Sequence, residues 1–329
     1  MAQLRFGTAS IGGNLAQAYL TKWLRHYSQP LMRFRDACDM REAIGKGRGD
    51  TYNWDKIANV TTGGVYTGIA ETATVPTDEF VITKGTGTIT EYANSIPFTR
   101  KLLELSSHDL KQIVRTSLAN DLAKTMDRAI FAELAKTMLI FGPTSGTNTA
   151  TVEVNTDGTR ATAHNATAPL SYSHVIEIVD IMKERNIPTF DGEDYVCIAH
   201  PTTLQSMRKA MVSVNQYTES GYKKILSGEI GRFGGMRFVE QTNVAKVTPT
   251  NAGAGSWAVF LGGEAIIEAV SVPDEIIVKE VTDYGRSLGL GWYTICGFKL
   301  AWGDAAADQA NSRVAFWWPN ATSPTSLTP

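Results

Sequence analysis

The sequence predicts an α+β protein organised around a single long helix, and three observations carry that expectation. Between residues 107 and 141 apolar side chains recur at helical spacing. The segment before it, from about residue 51 to 92, is rich in Thr, Val and Ile. The segment after it, from residue 171 onward, alternates short helices with apolar strands.

Along the helix the apolar positions are Leu110, Ile113, Val114, Leu118, Leu122, Met126, Ile130, Leu134 and Met138, which keep one face toward a core. Ser106 stands where a cap is needed, Asp109 follows three residues later in a capping-box-like spacing, and Gly142-Pro143 ends the run. A helix of roughly 35 residues would span about 50 Å, the width of a domain. A charge placed at Leu118 or at Leu122 is expected to destroy folding.

Two strands are expected before the helix, at 51–60 (TYNWDKIANV) and 80–92 (FVITKGTGTITEY), joined by the Gly- and Thr-rich stretch TTGGVYTGIAETATVPTDE. Neither strand has a clean apolar face, and an isolated two-stranded hairpin is marginal in water. The expectation is an extended arm that obtains its burial from a neighbouring copy rather than from its own domain. Residues 14–41 carry a helical pattern broken by Pro30, and GKGRGD at 45–50 is a turn.

After the helix, residues 144–169 are short of large apolar side chains and predict a loop or weak hairpin. A helix follows at 173–185, then a buried strand YVCIA at 195–199 and a helix opened by Pro201. Strands are expected at 236–240, 257–261, 265–270 and 275–281. In GWYTICGFKLAW the even positions, Trp292 to Trp302, form an apolar face, and SRVAFWWP supplies a last strand.

Composition narrows the function. Charged residues are only 19% of the 329-residue chain, below the usual quarter, which suits a subunit whose surface is covered by partners. The net charge of −2 and the lack of a basic run argue against intrinsic nucleic-acid affinity. Cys38, Cys197 and Cys296 have no paired spacing, so neither a zinc site nor a disulfide framework is expected. There is no signal-peptide pattern and no run of apolar residues long enough to span a membrane.

No residue set predicts catalysis, a cofactor or a metal. The glycines of GKGRGD lack phosphate-loop spacing and precede a strand. His26, His108, His164, His174 and His200 are scattered and suit structural roles. Asp191, Glu193 and Asp194 could bind a cation or act as acid and base, but a solvated loop accounts for them more simply. Trp292, Trp302, Trp317 and Trp318 suit a core or an interface.

QAYLTKWLRHYSQPLMRFRD, then GKGRGDTYNWDKI, ITEYANSIPFTRKLLELSSHDL, YVCIAHPTTLQSMR, SGEIGRFGGMRFVEQTNV and WAVFLGGEAIIEAV occur in an order that resembles the major capsid proteins of tailed bacteriophages. The resemblance is to the Hong Kong 97-type fold, closest to the group named after coliphage N-four, and covers nearly the whole chain. It implies an N-terminal arm at 1–45 and an extended loop at 46–97. It further implies a P domain at 98–167 and 283–329 with its spine helix at 106–141, and an A domain at 168–282.

The resemblance also implies a homo-oligomer of hexamers and pentamers in an icosahedral shell that encloses double-stranded DNA without sequence-specific binding. Such a protein is assembled in the host cytoplasm and ends in the virion. Separate scaffolding, portal and decoration proteins are the further partners it implies, with no membrane.

Assembly contacts are expected at Trp54, Lys56, Val65, Tyr66, Glu71, Lys84, Gly231, Arg232, Gly234 and Gly235. Residues 61–79 contain no Lys, so the Lys–Asn cross-link found in some members is not expected, and the joints between copies should be non-covalent. Two alternatives are an encapsulin-type nanocompartment shell and, from a different class, a Thr-rich surface hydrolase or glycan-binding protein.

Overall fold

A computed structural model describes residues 34–42, 49–57, 68–72, 74–75, 80–156, 168–190, 192–215, 231–244, 257–279, 283–302 and 311–317. The expected helix within 14–33, the centre of the loop at 61–67, and Trp318 lie outside these residues.

Two sheets share the long helix between them. The first has four strands in the order β1 (Cys38–Glu42), β11 (Ile266–Val278), β12 (Ser287–Leu300) and β4 (Thr90–Thr99). β1 runs parallel to β11, and the other pairs are antiparallel. The second has seven strands in the order β6 (Val152–Asn155), β5 (Leu139–Pro143), β13 (Val314–Trp317), β10 (Ala258–Leu261), β7 (Tyr195–Ala199), β9 (Met236–Glu240) and β8 (Arg232–Phe233). Its central strands are buried on both faces. Val259, Leu261, Val314 and Phe316 join the core around the long helix. Ala258, Phe260, Ala315 and Trp317 join a second core with helix α3 (Tyr172–Glu184). Such strands read as continuous apolar runs, as VAFW and AVFL do.

The long helix, α2, covers Leu110–Leu134, 25 residues and about 37 Å at 1.5 Å each, so it is shorter than the sequence predicts. Asp109, not Ser106, is its cap, with Oδ1 accepting from the amides of Lys111 at 3.1 Å and Gln112 at 3.3 Å. A separate short helix, α1 (Arg100–Leu105), precedes it and is capped by Thr99. At the other end Thr137 is buried and donates to the Val314 carbonyl at 2.6 Å. That bond turns the chain into β5, where Leu139, Ile140 and Phe141 are buried in the sheet. An apolar run of this length fits a helix or a strand, and pairing with β13 decides for the strand.

Two further expectations change. Residues 80–92 form two strands, β3 (Ile82–Thr88) and the start of β4, interrupted at Ile89. Pro97 lies inside β4, which is possible because β4 is an edge strand of its sheet. Cys38–Glu42 is a strand rather than the end of a helix. Of the stretch expected as a loop or weak hairpin, 144–169, only β6 is a strand among the described residues, and it pairs with β5, which lies before that stretch. The apolar face of β12 is as expected: Trp292, Thr294, Cys296, Phe298 and Leu300 are buried, and the indole of Trp292 donates to Asp121 on α2 at 3.0 Å.

Two buried carboxylates fasten distant segments. Asp127 on α2 accepts from the Phe34 amide at 3.3 Å, Gln241 Nε2 at 2.5 Å and Asn243 Nδ2 at 3.0 Å. Glu268 on β11 pairs with Arg35 Nη2 at 2.7 Å, and Arg35 also pairs with Asp274. Burial raises the Glu268 pKa above the ordinary carboxylate value, and the Arg35 bonds work against that rise.

Candidate functional site

The arm is built from β2 (Thr51–Ile57) and β3, antiparallel from Thr51↔Thr88 to Ile57↔Ile82. Alternate residues of β2 are buried, namely Tyr52, Trp54 and Lys56. Its root packs on its own chain, a correction to the expectation that all of its burial comes from a neighbour. The reason lies in the glycines of KGTGT. A Cβ on Gly85 would lie 2.3 Å from the Trp54 ring, and one on Gly87 would lie 2.4 Å from the Tyr52 ring. Opposite each aromatic ring the partner strand therefore offers only backbone, and the rings lie flat across it. Trp54 then donates from Nε1 to the Ala301 carbonyl at 3.2 Å and clusters with Ile267 and Ala269 of β11.

Replacing Gly85 with Ala should displace the Trp54 ring at a cost of roughly 1–3 kcal/mol. Hydrogen exchange should quicken across 51–57 while α2 stays protected; unchanged exchange at 51–57 would contradict the packing described.

Lys56 is only 3% exposed, with its ammonium 5.7 Å from the Trp54 ring and 5.8 Å from the Trp302 ring. Trp54 and Lys56 thus have little surface left for another molecule. Glu71 and Lys84 are exposed, Lys84 opposite Asp55 in the ladder, while Val65 and Tyr66 fall outside the described residues. Sequence reasoning passed over the apolar residues left in the open on this arm: Ile57, Ile69, Val75, Phe80, Val81 and Ile82. Their clustering in one arm was the available signal.

The glycine-rich turn lies at the far edge of the seven-stranded sheet. Gly234 (φ +60°) and Gly235 (φ +82°) link β8 to β9 as a tight hairpin with both central residues left-handed. Gly231 (φ +60°) accepts from the Phe238 amide at 3.1 Å. Arg232 Nε lies 2.8 Å from Asp194 Oδ2 and Arg237 Nε lies 3.1 Å from it. Asp194 is fully buried, so the solvated-loop expectation is corrected for this residue: it anchors the hairpin to β7. Glu193 is exposed and pairs with Arg232 at 3.4 Å, and Asp191 is outside the described residues.

His174 is buried at the start of α3. Its Nδ1 accepts from the Ser171 amide at 3.2 Å, so Nε2 carries the proton and donates to the Asn148 carbonyl at 3.1 Å. Burial lowers its pKa. Above about pH 7 His174 is neutral folded or unfolded and adds no pH dependence. Below about 6.5 the unfolded chain takes up the proton first, so stability falls as the pH drops. The melting temperature should fall more steeply from pH 7.5 to 5.5 in the native protein than in His174→Gln; equal slopes would contradict this assignment.

The cysteines are free thiols, Cys197 and Cys296 buried and Cys38 partly so. Burial pushes all three upward, Cys296 to about 12. Among the described residues no cluster of three or more metal-ligating side chains occurs, and no helix is long and apolar enough to cross a membrane.

The architecture is shared with solved phage heads. Over 94% of this chain and 96% of the other it superposes on the capsid of Ralstonia phage GP4, with a TM-score of 0.61 and 17% identity. The capsid of cyanophage P-SCSP1u matches over 93% of both chains, with a TM-score of 0.64 and 13% identity. The head of Helicobacter pylori bacteriophage KHP40 matches over 96% and 98%, with a TM-score of 0.63 and 13% identity. At such identities the likeness is one of fold. No curated protein matches the chain. The profile of the family described as phage capsid protein matches residues 83–307, from β3 through α2 and most strands of both sheets to just beyond β12, leaving out β1 and β13. With more than two thirds of its length inside that profile, this chain belongs to the phage capsid protein family.

Proposed function

We propose that this protein is the major capsid protein of a tailed double-stranded DNA bacteriophage, of the Hong Kong 97 type and the group named after coliphage N-four. Copies assemble as hexamers and pentamers into an icosahedral head that encloses the genome without reading its sequence. The observation that carries this reading is the family match over 83–307. The proposed division is an N-terminal arm at 1–45, an extended loop at 46–97, a P domain at 98–167 and 283–329, and an A domain at 168–282. The role is structural, without catalysis. Scaffolding, portal and decoration proteins are proposed as separate partners, and the host cytoplasm as the place of assembly.

Physical support comes from an arm whose outer apolar residues face solvent in the single chain, and from a charge content too low for an ordinary free surface. Glu71, Lys84 and Arg232 are proposed as polar contacts between copies. Gly231, Gly234 and Gly235 act through the shape of the hairpin. The joints are non-covalent: 61–79 holds no Lys, and Lys56 is enclosed by Trp54 and Trp302.

Light scattering and negative-stain microscopy of the expressed chain test the reading. Closed particles or open five- and six-membered rings support it. A stable monomer that stays monomeric with crowding agents and with a phage scaffold overturns it. Valine at both Gly234 and Gly235 would have to adopt left-handed backbone at roughly 1–2 kcal/mol each. Such subunits should remain soluble and fail to close; normal particles would remove the hairpin from the assembly surface.

A further inference from the structure

We infer that the cavity between the root of the arm and the C-terminal end of α2 binds a small neutral polyhydroxy molecule, of the class of simple sugars and polyols. The capsid reading calls for no such ligand, and the inference stands apart from it.

The cavity follows from how three elements meet. β3 ends at Thr88 and β4 begins at Thr90, so the chain passes there from the arm to the four-stranded sheet. Between them the Ile89 amide donates to the Asp50 carbonyl at 2.8 Å, which holds the crossing in place. The long helix packs on β12 and β4 of the same sheet. A space of about 450 Å³ is left where the arm, the sheet and the last turns of the helix converge. That volume lies within the range of small-molecule sites.

Two polar atoms at this place lack partners among the described residues. Tyr52 is 3% exposed, and its buried hydroxyl makes no hydrogen bond. A Cβ on Gly87 would lie 2.6 Å from that oxygen, and Gly87 lines the cavity. The hydroxyl thus reaches the cavity wall at a residue with no side chain to close it off. Across the space, Glu133 gives Oε1 to Lys136, while its Oε2 is buried and bonded to nothing. Burial, with the Glu133 carboxylate nearby, holds the Tyr52 pKa above the ordinary phenol value, so the hydroxyl keeps a proton to donate. Buried polar groups are ordinarily satisfied, and each one left unpaired costs about 1–3 kcal/mol. Two at one cavity point to an occupant.

The lining selects the chemistry. Glu133 Oε2 needs a donor, which a bare anion does not have. Lys136 and Lys299 bring positive charge to the cavity and disfavour a cation. A hydroxyl group donates and accepts at once, so it serves Glu133 Oε2, Tyr52 and the threonine hydroxyls of Thr86 and Thr88 alike. Phe298, Tyr92 and Ala129 supply the apolar part of the wall, which suits the C–H face of a sugar ring. Single waters could pair with the two orphan atoms, but they would leave that apolar wall uncovered.

Such a ligand would touch the arm at Tyr52 and the helix at Glu133, and so brace one against the other. Calorimetric titration of the native chain with glucose, maltose and glycerol tests the inference. At least one should bind saturably at one site per chain, with a Kd on the order of 1 mM. Non-specific exclusion of polyols from the protein surface gives no such saturation. Tyr52→Phe and Glu133→Gln should each weaken binding about tenfold, the loss expected for one hydrogen bond to a buried site. Ala132 is exposed on the helix at the cavity wall, so Ala132→Leu should keep the native circular dichroism spectrum and abolish binding. The bound sugar should slow hydrogen exchange at 51–57 and 82–88 in the native chain and leave it unchanged in Ala132→Leu. A flat titration with all three probes, which leaves water as the only occupant, overturns the inference. Equal affinity in the native chain and all three variants also overturns it, and either result leaves the capsid reading intact.

Discussion

Leu118→Asp is expected to leave no folded subunit. Leu118 is 1% exposed and sits in mid-helix among residues contributed by α2, both sheets and the segment at Phe34. The substitution removes an apolar side chain, worth about 2–5 kcal/mol, and also requires a carboxylate to stay ionised without a partner or to take up a proton. Domains are stable by about 5–15 kcal/mol in total, so the combined penalty reaches the scale of the whole fold. Expression should yield insoluble chain. Leu122→Asp should differ, because Leu122 is only partly buried and its carboxylate can reach water. The sequence alone equates the two positions, and the structure separates them. A soluble, cooperatively melting Leu118→Asp protein would contradict the packing of α2.

Asp127→Ala is expected to cost about 3–5 kcal/mol by a different route. It removes no apolar surface of consequence but leaves the Phe34 amide and the amides of Gln241 and Asn243 without their acceptor in a buried site. For a chain of this size the loss corresponds to a fall in melting temperature on the order of 10 °C. Protease sensitivity should appear around residues 34 and 241, the two segments that Asp127 ties to the helix. Gln241→Ala, which removes one of the bonds to Asp127 described above together with the Oε1 acceptor of the Thr242 amide, should cost less, roughly 1–2 kcal/mol. If both variants melt at the same temperature, the carboxylate is not the junction described.

How much of this was legible in the sequence depends on the distance over which each feature is encoded. The buried face of α2, the YVCIA strand and the alternating face of β12 follow from local periodicity. The end of α2 did not, because Leu139, Ile140 and Phe141 continue the apolar pattern and only their pairing with β13, far along the chain, makes them a strand. The root of the arm escaped notice for a related reason. Gly85 and Gly87 look like a weakness in a strand until Trp54 and Tyr52 are placed across from them.

The polar ties were invisible. Asp127 looks like any helical Asp, and its partners lie 93, 114 and 116 residues away. Of the expected contact residues, the structure encloses Trp54 and Lys56 in their own chain, while Glu71 and Lys84 stay open. The exposed Phe80, Val81 and Ile82 went unremarked because an apolar run in a strand ordinarily signals an interior.

The sealed cysteines have a consequence for a particle that passes between chemically different media. Burial pushes the Cys296 thiol well above its ordinary pKa, so it stays protonated at neutral pH, and burial suppresses ionisation at Cys38 and Cys197 as well. Exchange with external disulfides needs both a thiolate and access to it, and Cys197 and Cys296 are denied both, while the partly buried Cys38 is denied the first. A shell of such subunits should keep the same mechanical strength with dithiothreitol as with dissolved oxygen, its firmness coming from contacts that neither oxidant nor reductant can make or break.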